Sequence, residues 1–305
     1  MSIDDLPDEL VENASGPGAG DFLPSGTGRH SAMRILLCQP GSLAGMAILT
    51  VIVLMAVLAP WLTSAQPLDM VGAPLLRPGQ DSAFPFGTDM MGRDVFSGIV
   101  YGARVSLIAG LAATALSVTG GVLIGAAGGY FGGWIDDLIV RFIEIFQTIP
   151  GFVLLVVLVA VAQPSLTTVV IGIALISWDG IARLTRAEFR TLRQADFVTA
   201  ARSAGFGPSS IIFHEILPNA LPSLVVAASI MVASAILQES ALAFLGLGDP
   251  NMVSWGSMIG AGRELLRTHA YLTAIPGSFI VLTVLALNLI GDGLNDALNP
   301  RLRNR

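Results

Sequence analysis

The sequence predicts an all-α integral membrane protein with six transmembrane helices, and its composition and its apolar stretches carry that prediction. Of the 305 residues, 53 % are hydrophobic and 12 % are charged, and the mean hydropathy is +0.73. Soluble domains carry roughly 25 % charged residues, so this chain would lack the polar residues to cover a water-exposed surface. Several uncharged stretches reach the ~20 residues that a helix needs to cross a bilayer, and six of them give a polytopic protein.

Each transmembrane helix is placed by one apolar stretch, because backbone amides inside lipid must be paired within a helix. The third and fourth helices share the uncharged run 145–178, which Gln163-Pro164-Ser165 interrupts, so a very short turn joins them. A buried helix of a soluble protein is the alternative for any one stretch, but six stretches in one chain argue against it. The predicted helices span roughly residues 41–62, 105–129, 138–162, 166–185, 219–245 and 271–291.

The predicted helices divide the chain into five parts. Residues 1–30 hold six acidic residues against Arg29 and lack the positive start and early apolar core of a secretory signal, which favours a disordered tail. The expected parts are a disordered acidic cytoplasmic tail (1–35), a first transmembrane helix (36–66), an extracytoplasmic loop (67–104), a core of five helices (105–294) with a long connection at about 186–218, and a cytoplasmic tail (295–305).

The arginines indicate how these helices are oriented. With both ends of the chain inside, eleven arginines lie on the cytoplasmic side and five lie outside, and positive residues gather on the cytoplasmic side of membrane proteins. The pattern therefore predicts that the N terminus and the C terminus both face the cytoplasm. The eleven are Arg29, Arg34, Arg141, Arg183, Arg186, Arg190, Arg193, Arg202, Arg301, Arg303 and Arg305.

Several kinds of chemistry are excluded by what the sequence lacks. All 16 basic residues are arginines, so the chain has no lysine to hold phosphate in a Walker A loop or to form a Schiff base. Its one cysteine, Cys38, and its three histidines argue against a disulfide or a metal centre. No nucleophile motif with matching partners and no clustered basic face occurs. We therefore expect no catalytic residue, metal or cofactor in this chain and no nucleic-acid partner.

The connection between the fourth and fifth helices predicts a short helix, a turn and a second helix at the cytoplasmic side. An ordinary linker whose basic face lies near anionic lipid headgroups is the alternative. The residues that carry the pattern are Ala200, Ala201 and Ala204 in the first helix, Gly205 and Gly207-Pro208 in the turn, and 211–218 in the second helix, which is expected to end at Pro218.

Four stretches of the sequence resemble one family. Thr199-Ala200-Ala201, with Gly205 and Leu217-Pro218, is similar to the EAA loop of binding-protein-dependent ABC importer permeases. The other three resemble the C-type permease subunit of the dipeptide, oligopeptide and nickel importers. They are 86–89 (FGTD) with 92–95 (GRDV), 239–248 (ESALAFLGLG) with 254–256 (SWG), and 291–296 (GDGLND) with 300–303 (PRLR).

The chain differs from the family pattern at three places. Thr199 occupies the position where the EAA motif usually has Glu, and Glu215 occupies a position where it usually has Ile. Residues 249–253 lack several prolines that are common there. No contact of a loop carboxylate is therefore carried over to this chain.

The resemblance implies a permease with the transmembrane fold of type I ABC importers. Such a subunit forms half of the translocation path of an ATP-driven importer, here for peptides or a related small solute, in the plasma (inner) membrane. The implied partners are a homologous B-type permease, two ATPase subunits that hold ATP and Mg, an extracytoplasmic substrate-binding protein and membrane lipid. In the family, the EAA loop couples the permease to the ATPase, and the residues assigned to that role are Thr199, Ala200, Ala201, Ala204, Gly205 and Pro218.

Charged residues near the helix ends are further candidates, because a charge at the centre of a membrane helix costs about 2.5–3.5 kcal/mol. Glu239 lies toward the outer end of the fifth helix and, with Trp255, is a candidate for the translocation path or the outer gate. A hydrogen bond from backbone to Glu239 is the alternative. Asp89, Arg93 and Asp94 are expected outside the membrane, where they brace the extracytoplasmic loop or meet the binding protein.

Glycines mark one face of the second helix. Gly121, Gly125 and Gly129 recur every four residues, and small residues at this spacing let helices approach closely in lipid. Packing inside this subunit and contact with a partner permease are the two interpretations.

Two other classes of protein compete with the permease hypothesis. A secondary transporter driven by an ion gradient often has inverted repeats and acidic residues at the membrane midplane, whereas the six predicted helices show no clear repeat and their acidic residues lie near the ends. An intramembrane enzyme would need a reactive pair of side chains, which the sequence does not offer. The substrate stays open among dipeptides, longer peptides, nickel chelates, glutathione and opines.

Overall fold

The computed structural model describes residues 39–298, which form a bundle of long helices. The acidic tail predicted over 1–35 and residues 299–305 of the C-terminal tail lie outside the described residues. In chain order the helices are α1 (Pro40–Val57), α2 (Ala59–Leu62), α3 (Val95–Phe131), α4 (Gly133–Gln147), α5 (Gly151–Ala162), α6 (Leu166–Leu192), α7 (Asp196–Ser203), α8 (Pro208–Ser210), a π-helical segment (Ile211–Ile216), α9 (Leu217–Phe244), α10 (Trp255–Gly262), a 3-10 turn (Arg263–Leu265) and α11 (Tyr271–Leu298). Between residues 39 and 298 the strand-like pairings are two isolated bridges, so the all-α prediction is confirmed.

Five helices are long and apolar enough to cross a membrane, namely α1, α3, α6, α11 and the continuous run from α8 through α9. The pair α4 and α5 is bent by 78° and supplies a sixth crossing if its two halves act as one span. Pro150 stands at the bend, where proline provides no N–H for a helix and disfavours helical backbone in the preceding residue. The single helix predicted over 138–162 is therefore two helices.

Three helix ends differ from the prediction. α3 begins at Val95 rather than near residue 105, because the carboxylate of Asp94 caps its first turn, and the loop predicted over 67–104 accordingly ends at Asp94. α6 continues to Leu192 and α11 to Leu298, beyond the predicted ends at 185 and 291. An apolar stretch marks where a helix crosses lipid, but the helix itself continues as long as its backbone hydrogen bonds do.

α3 packs against α6 along the predicted face of glycines. A Cβ atom built at Gly121 would lie 2.7 Å from the carbonyl oxygen of Trp178, and one at Gly125 would meet the carbonyl oxygen of Ala182. Gly129 makes the same kind of approach one turn further along. Small residues at this spacing allow such close contact between helix backbones in lipid. The glycine face therefore serves packing within the subunit.

The bundle has two chemically different ends. The arginine-rich end comprises the turn between α3 and α4 together with residues 193–210, and the loop end comprises residues 63–94 and 245–270. The predicted short turn Gln163-Pro164-Ser165 is present at the loop end, where the N–H of Leu166 donates to Asp249 Oδ2 at 3.1 Å. Helix α3 therefore begins at the loop end and finishes at the arginine-rich end.

Candidate functional site

At the arginine-rich end, the short helix α7 has an inner face that fixes it to the bundle. Val198 and Ala201 are buried, and they pack in one cluster with Tyr130, Phe189 and Ile216. Residues three apart share a helix face, so this inner face joins α7 to the ends of α3 and α6 and to the π-helical segment. Movement of α7 would therefore move the ends of these longer helices.

The outer face of α7 carries small and aromatic residues. Ala200 and Ala204 are exposed, and so are Phe197 and Phe206 beside them, with 54 % of Phe206 accessible. Thr199 is also exposed. Exposed apolar residues at a polar end of a protein are candidates for contact with a partner, and the small side chains of alanine let a partner approach closely.

Gly205 ends α7 with a backbone conformation that favours glycine. Its φ is +84°, and the N–H groups of Gly205 and Phe206 donate to the carbonyls of Arg202 and Ala201 at 3.0 and 3.1 Å. This is the Schellman arrangement that closes many helices. A Cβ atom at Gly205 would meet nothing within 4 Å, so the backbone conformation, and not lack of space, requires glycine here.

Pro218 does not end a helix, contrary to the predicted pattern. The π-helical segment Ile211–Ile216 leads directly into α9, and Pro218 lies in the first turn of α9. A π turn changes which N–H each carbonyl accepts from, and the side-chain amide of Asn219 donates to the carbonyl of Glu215 at 2.7 Å. The helix therefore continues through Pro218.

An ion-pair cluster that the sequence analysis missed joins α4 to α6. Asp136, in the first turn of α4, accepts hydrogen bonds from Arg186 Nε and, at 2.8 Å, from Arg186 Nη2. Arg190 lies 3.9 Å from the same carboxylate, and Arg193 donates to the carbonyl of Phe131 at the end of α3. Two-point arginine–carboxylate pairs are strong and directional. In the sequence, the spacing of these arginines along one face of α6 was the signal that could have indicated this cluster.

Replacing Asp136 by alanine is expected to lower the stability of the protein by about 3 kcal/mol, because Arg186 would stay charged and partly buried without its partner. Thermal unfolding of the purified protein in detergent measures the change. The matched control is Glu144→Ala, since Glu144 and Arg141 pair at 3.4 Å with both side chains exposed, and exposed pairs contribute at most about 1 kcal/mol. Equal melting temperatures for the two variants would contradict this role of Asp136.

At the loop end, Glu239 is buried and joins two long helices. Only 4 % of the residue is exposed, and its Oε2 accepts from the hydroxyl of Ser106 on α3 at 3.1 Å and from that of Ser240 at 3.4 Å. Its partners are thus hydroxyl groups and not backbone groups. Glu239 also lines a cavity of about 10 Å³, shared with Asp249 and Ser254, which is about the space that one water molecule needs.

Trp255 is fully buried and fastens α10 to its neighbours. Its indole Nε1 donates to the carbonyl of Ile99 on α3 at 3.0 Å, and its ring centroid lies 6.0 Å from that of Phe279 on α11. A Cβ atom at Gly102 would lie 3.0 Å from the indole ring. The residue therefore holds three helices together in this conformation, and its part in an outer gate stays a prediction.

Asp89, Arg93 and Asp94 lie in the turn before α3. Asp89 Oδ1 accepts from the N–H groups of Met91 and Arg93 at 2.8 and 2.9 Å, and Asp94 caps α3. Gly92, between them, has a φ of +77° that favours glycine. The two aspartates thus brace the loop. Arg93 does not use its side chain in this way, since its Nε is buried and has no hydrogen-bond partner.

The residues at both ends of the bundle make packing contacts and hold helices in place. Among the residues that the structure describes, no three His, Cys, Asp or Glu side chains come together as a metal site would require. The arginine-rich end exposes apolar residues of α7, and at the loop end single buried polar residues hold the helices together.

Comparison with protein families gives two matches. A family described as binding-protein-dependent transport system inner membrane component matches residues 121–304, which is more than half of the chain. A second family, described as the N-terminal TM domain of oligopeptide transport permease C, matches residues 29–78.

Relatives match along most of the chain. A di/tripeptide transport system permease protein of Pseudomonas aeruginosa is 39 % identical over 270 residues, which are 87 % of this chain and 89 % of the relative. Dipeptide transport system permease proteins of Alkalihalophilus pseudofirmus and Haemophilus influenzae are 39 % and 38 % identical over 86 % of this chain. The matched parts are 86 % and 91 % of the two relatives.

Solved structures with the same fold come from an ABC transporter. Two crystal forms of the MetNI methionine ABC transporter in inward-facing conformations match with TM-scores of 0.52 and 0.50 at 19 % and 20 % identity. Each match covers 66 % of this chain and 96 % or 95 % of the other chain. The predicted type I importer fold is therefore confirmed.

Proposed function

Because the chain belongs to the family of binding-protein-dependent transport system inner membrane components, we propose that it forms half of the translocation path of an importer for peptides, driven by separate ATPase subunits. The substrate class follows the relatives, which are named as di- and tripeptide permeases. A permease of this family is a multi-pass inner-membrane protein. The proposed assembly contains this chain, a homologous B-type permease, two ATPase subunits with ATP and Mg, and an extracytoplasmic binding protein.

The outer face of α7 is the observation that carries the proposal. It is an exposed apolar surface built on Ala200 and Ala204 at the arginine-rich end, and its inner face is packed against the ends of α3 and α6. A chain without lysine has no Walker A loop of its own, so the proposal assigns ATP binding to another subunit. An ATPase docked on this face would apply its movement directly to the long helices.

The proposed orientation puts the arginine-rich end in the cytoplasm. Arg183, Arg186, Arg190, Arg193 and Arg202 all lie at or near this end, as expected of a cytoplasmic side. The loop end, with residues 63–94 and 245–270, then faces the binding protein.

The path of the movement is proposed from contacts within the bundle. α7 moves with α3 and α6 because Val198 and Ala201 pack against them, and the pair of Asp136 with Arg186 adds α4 to the same unit. At the loop end the hydrogen bond of Glu239 with Ser106 and that of Trp255 with α3 join α3 to α9 and α10. Alternating access then takes the form of these joined helices moving as rigid bodies between two states, one of which ATP binding favours.

The energy source tests the proposal against the ion-gradient alternative. The chain is purified with its partners, reconstituted with the binding protein in proteoliposomes, and assayed for uptake of a radiolabelled dipeptide. Uptake is expected to require ATP on the side of the membrane where the ATPase subunits lie. It is expected to persist when a protonophore is added. Uptake that continues without ATP and collapses with the protonophore would establish a secondary transporter instead, and co-purification without any ATPase subunit would count against the proposed assembly.

A further inference from the structure

A half-open cavity at the loop end is large enough for a small molecule. It has a volume of about 420 Å³ and lies between the loop before α3 and the connection from α9 to α10. Small-molecule sites in proteins usually measure roughly 300–1,000 Å³. The apolar part of its wall is rich in methionine, with Met90, Met91, Met252 and Met258 among the lining residues. Methionine side chains are flexible and polarizable, so they adapt to side chains of different shape.

Two arginines face this cavity without a carboxylate partner. Arg93 and Arg263 both line it, and the ion pairs between residues 39 and 298 involve neither of them. The Nε of Arg93 is buried and has no hydrogen-bond partner. Nε itself is closed to the cavity, so a carboxylate there would bind through the terminal nitrogens of these guanidinium groups, which match carboxylates in charge and in geometry.

Three aspartates line the same cavity and are held by backbone groups. Asp89 accepts from the N–H of Met91, Asp94 caps α3, and Asp249 accepts from the N–H of Leu166. A backbone N–H group thus fixes the position of each carboxylate in the wall of the cavity. A simple anion would therefore meet three negative charges, and a simple cation would meet two arginines. A molecule that carries both charges matches the lining better than either.

We propose that this cavity is a binding subsite for a short zwitterionic peptide on its way from the binding protein to the translocation path. The C-terminal carboxylate binds Arg93, with Arg263 at the open side, and the ammonium group lies among the aspartates. The apolar side chains of the peptide pack against the methionines. This inference rests on the proposed function and names the form of the substrate that the permease itself recognises.

Protection of an engineered cysteine tests the subsite directly. Met252, in the wall, is replaced by cysteine in a Cys38→Ser background, since Cys38 is the only cysteine of the chain. The assembled transporter, without binding protein, is treated with a methanethiosulfonate reagent in the presence of L-alanyl-L-phenylalanine. Modification is expected to slow by about tenfold at a peptide concentration of about ten times the Kd, as occupancy of one site requires.

The matched control is Met70→Cys in the same background. Met70 is 67 % exposed on the loop before α3 but does not line the cavity, so its modification rate is expected to stay unchanged. The dipeptide with an amidated C terminus and the dipeptide with an acetylated N terminus are each expected to lose most of the protection at Met252→Cys. The experiments with the two modified dipeptides change only the ligand, so they need no further substitution in the protein.

Arg93→Gln and Arg263→Gln examine the two guanidinium groups separately. Arg93→Gln is expected to abolish protection, and Arg263→Gln, at the exposed side, to weaken it. Full protection in Arg93→Gln, or equal protection by the amidated dipeptide, would overturn the inference. If the wild-type transporter imports the dipeptide but Met252→Cys is never protected, the subsite is refuted and the proposed function stands. If the wild-type transporter imports no peptide at all, the proposed function itself fails.

Discussion

Replacing Gly125 by leucine is expected to prevent the protein from folding. A Cβ atom at this position would meet the carbonyl oxygen of Ala182 and lie 2.7 Å from the Cβ of Thr185, both on α6. A backbone carbonyl cannot rotate away as a side chain can, so the whole of α6 would have to separate from α3. Overpacking costs about 1–3 kcal/mol where side chains can yield, and more where they cannot. The free energy of unfolding of proteins is only about 5–15 kcal/mol. Overpacking at Gly125 would therefore remove a large share of it.

The measurement is the fraction of expressed protein recovered as a single species after detergent extraction and size-exclusion chromatography. Gly120→Leu is the matched control, because Gly120 lies on the same helix and a Cβ atom there would meet nothing within 4 Å. We expect normal recovery for Gly120→Leu and almost none for Gly125→Leu. Equal recovery of the two variants would show that the approach of α3 to α6 does not depend on the glycine face.

The glycine pattern also shows how far the sequence can lead. Spacing by four predicted a close helix contact, because that regularity is a property of one helix alone. It did not say which helix would be the partner, since α6 is separated from α3 by more than thirty residues. The six apolar stretches were informative for the same local reason, and the bend at Pro150 was missed because a break of a few residues hardly changes average hydropathy.

The ion-pair cluster was beyond prediction for a different reason. Asp136 and Arg186 are fifty residues apart, and their meeting depends on the turn at Gly132, whose φ of +68° sets the direction of α4. The motif before α3 was recognised as a group, yet its members have different roles. Asp89 and Asp94 bond to backbone N–H groups near them in sequence, which is predictable from their type, whereas the unpartnered state of Arg93 depends on what surrounds it in space.

Replacing Ala200 by arginine is expected to abolish uptake while the subunit still folds. Ala200 is exposed on the outer face of α7, so a long side chain there can extend away from the described part of the bundle, and the inner face of Val198 and Ala201 is untouched. At the proposed contact with an ATPase, however, a charge would be buried without a partner at a cost of about 2–3 kcal/mol. That lowers the affinity of the contact roughly 30-fold to 150-fold. Gly205→Glu is expected to act in the same direction, because a residue other than glycine also disfavours the left-handed turn that ends α7.

Uptake and ATP hydrolysis must be measured together on the reconstituted transporter, since a coupling defect separates them. With Ala200→Arg, uptake should be lost and any remaining hydrolysis should no longer respond to the loaded binding protein. Ala200→Ser is the matched control, because serine keeps the surface small and uncharged, and it should retain most of the uptake. If Ala200→Arg imports peptide at the wild-type rate, this face of α7 is not where the ATPase acts, and the exposed aromatic residues Phe197 and Phe206 beside it would then have to be explained by another partner.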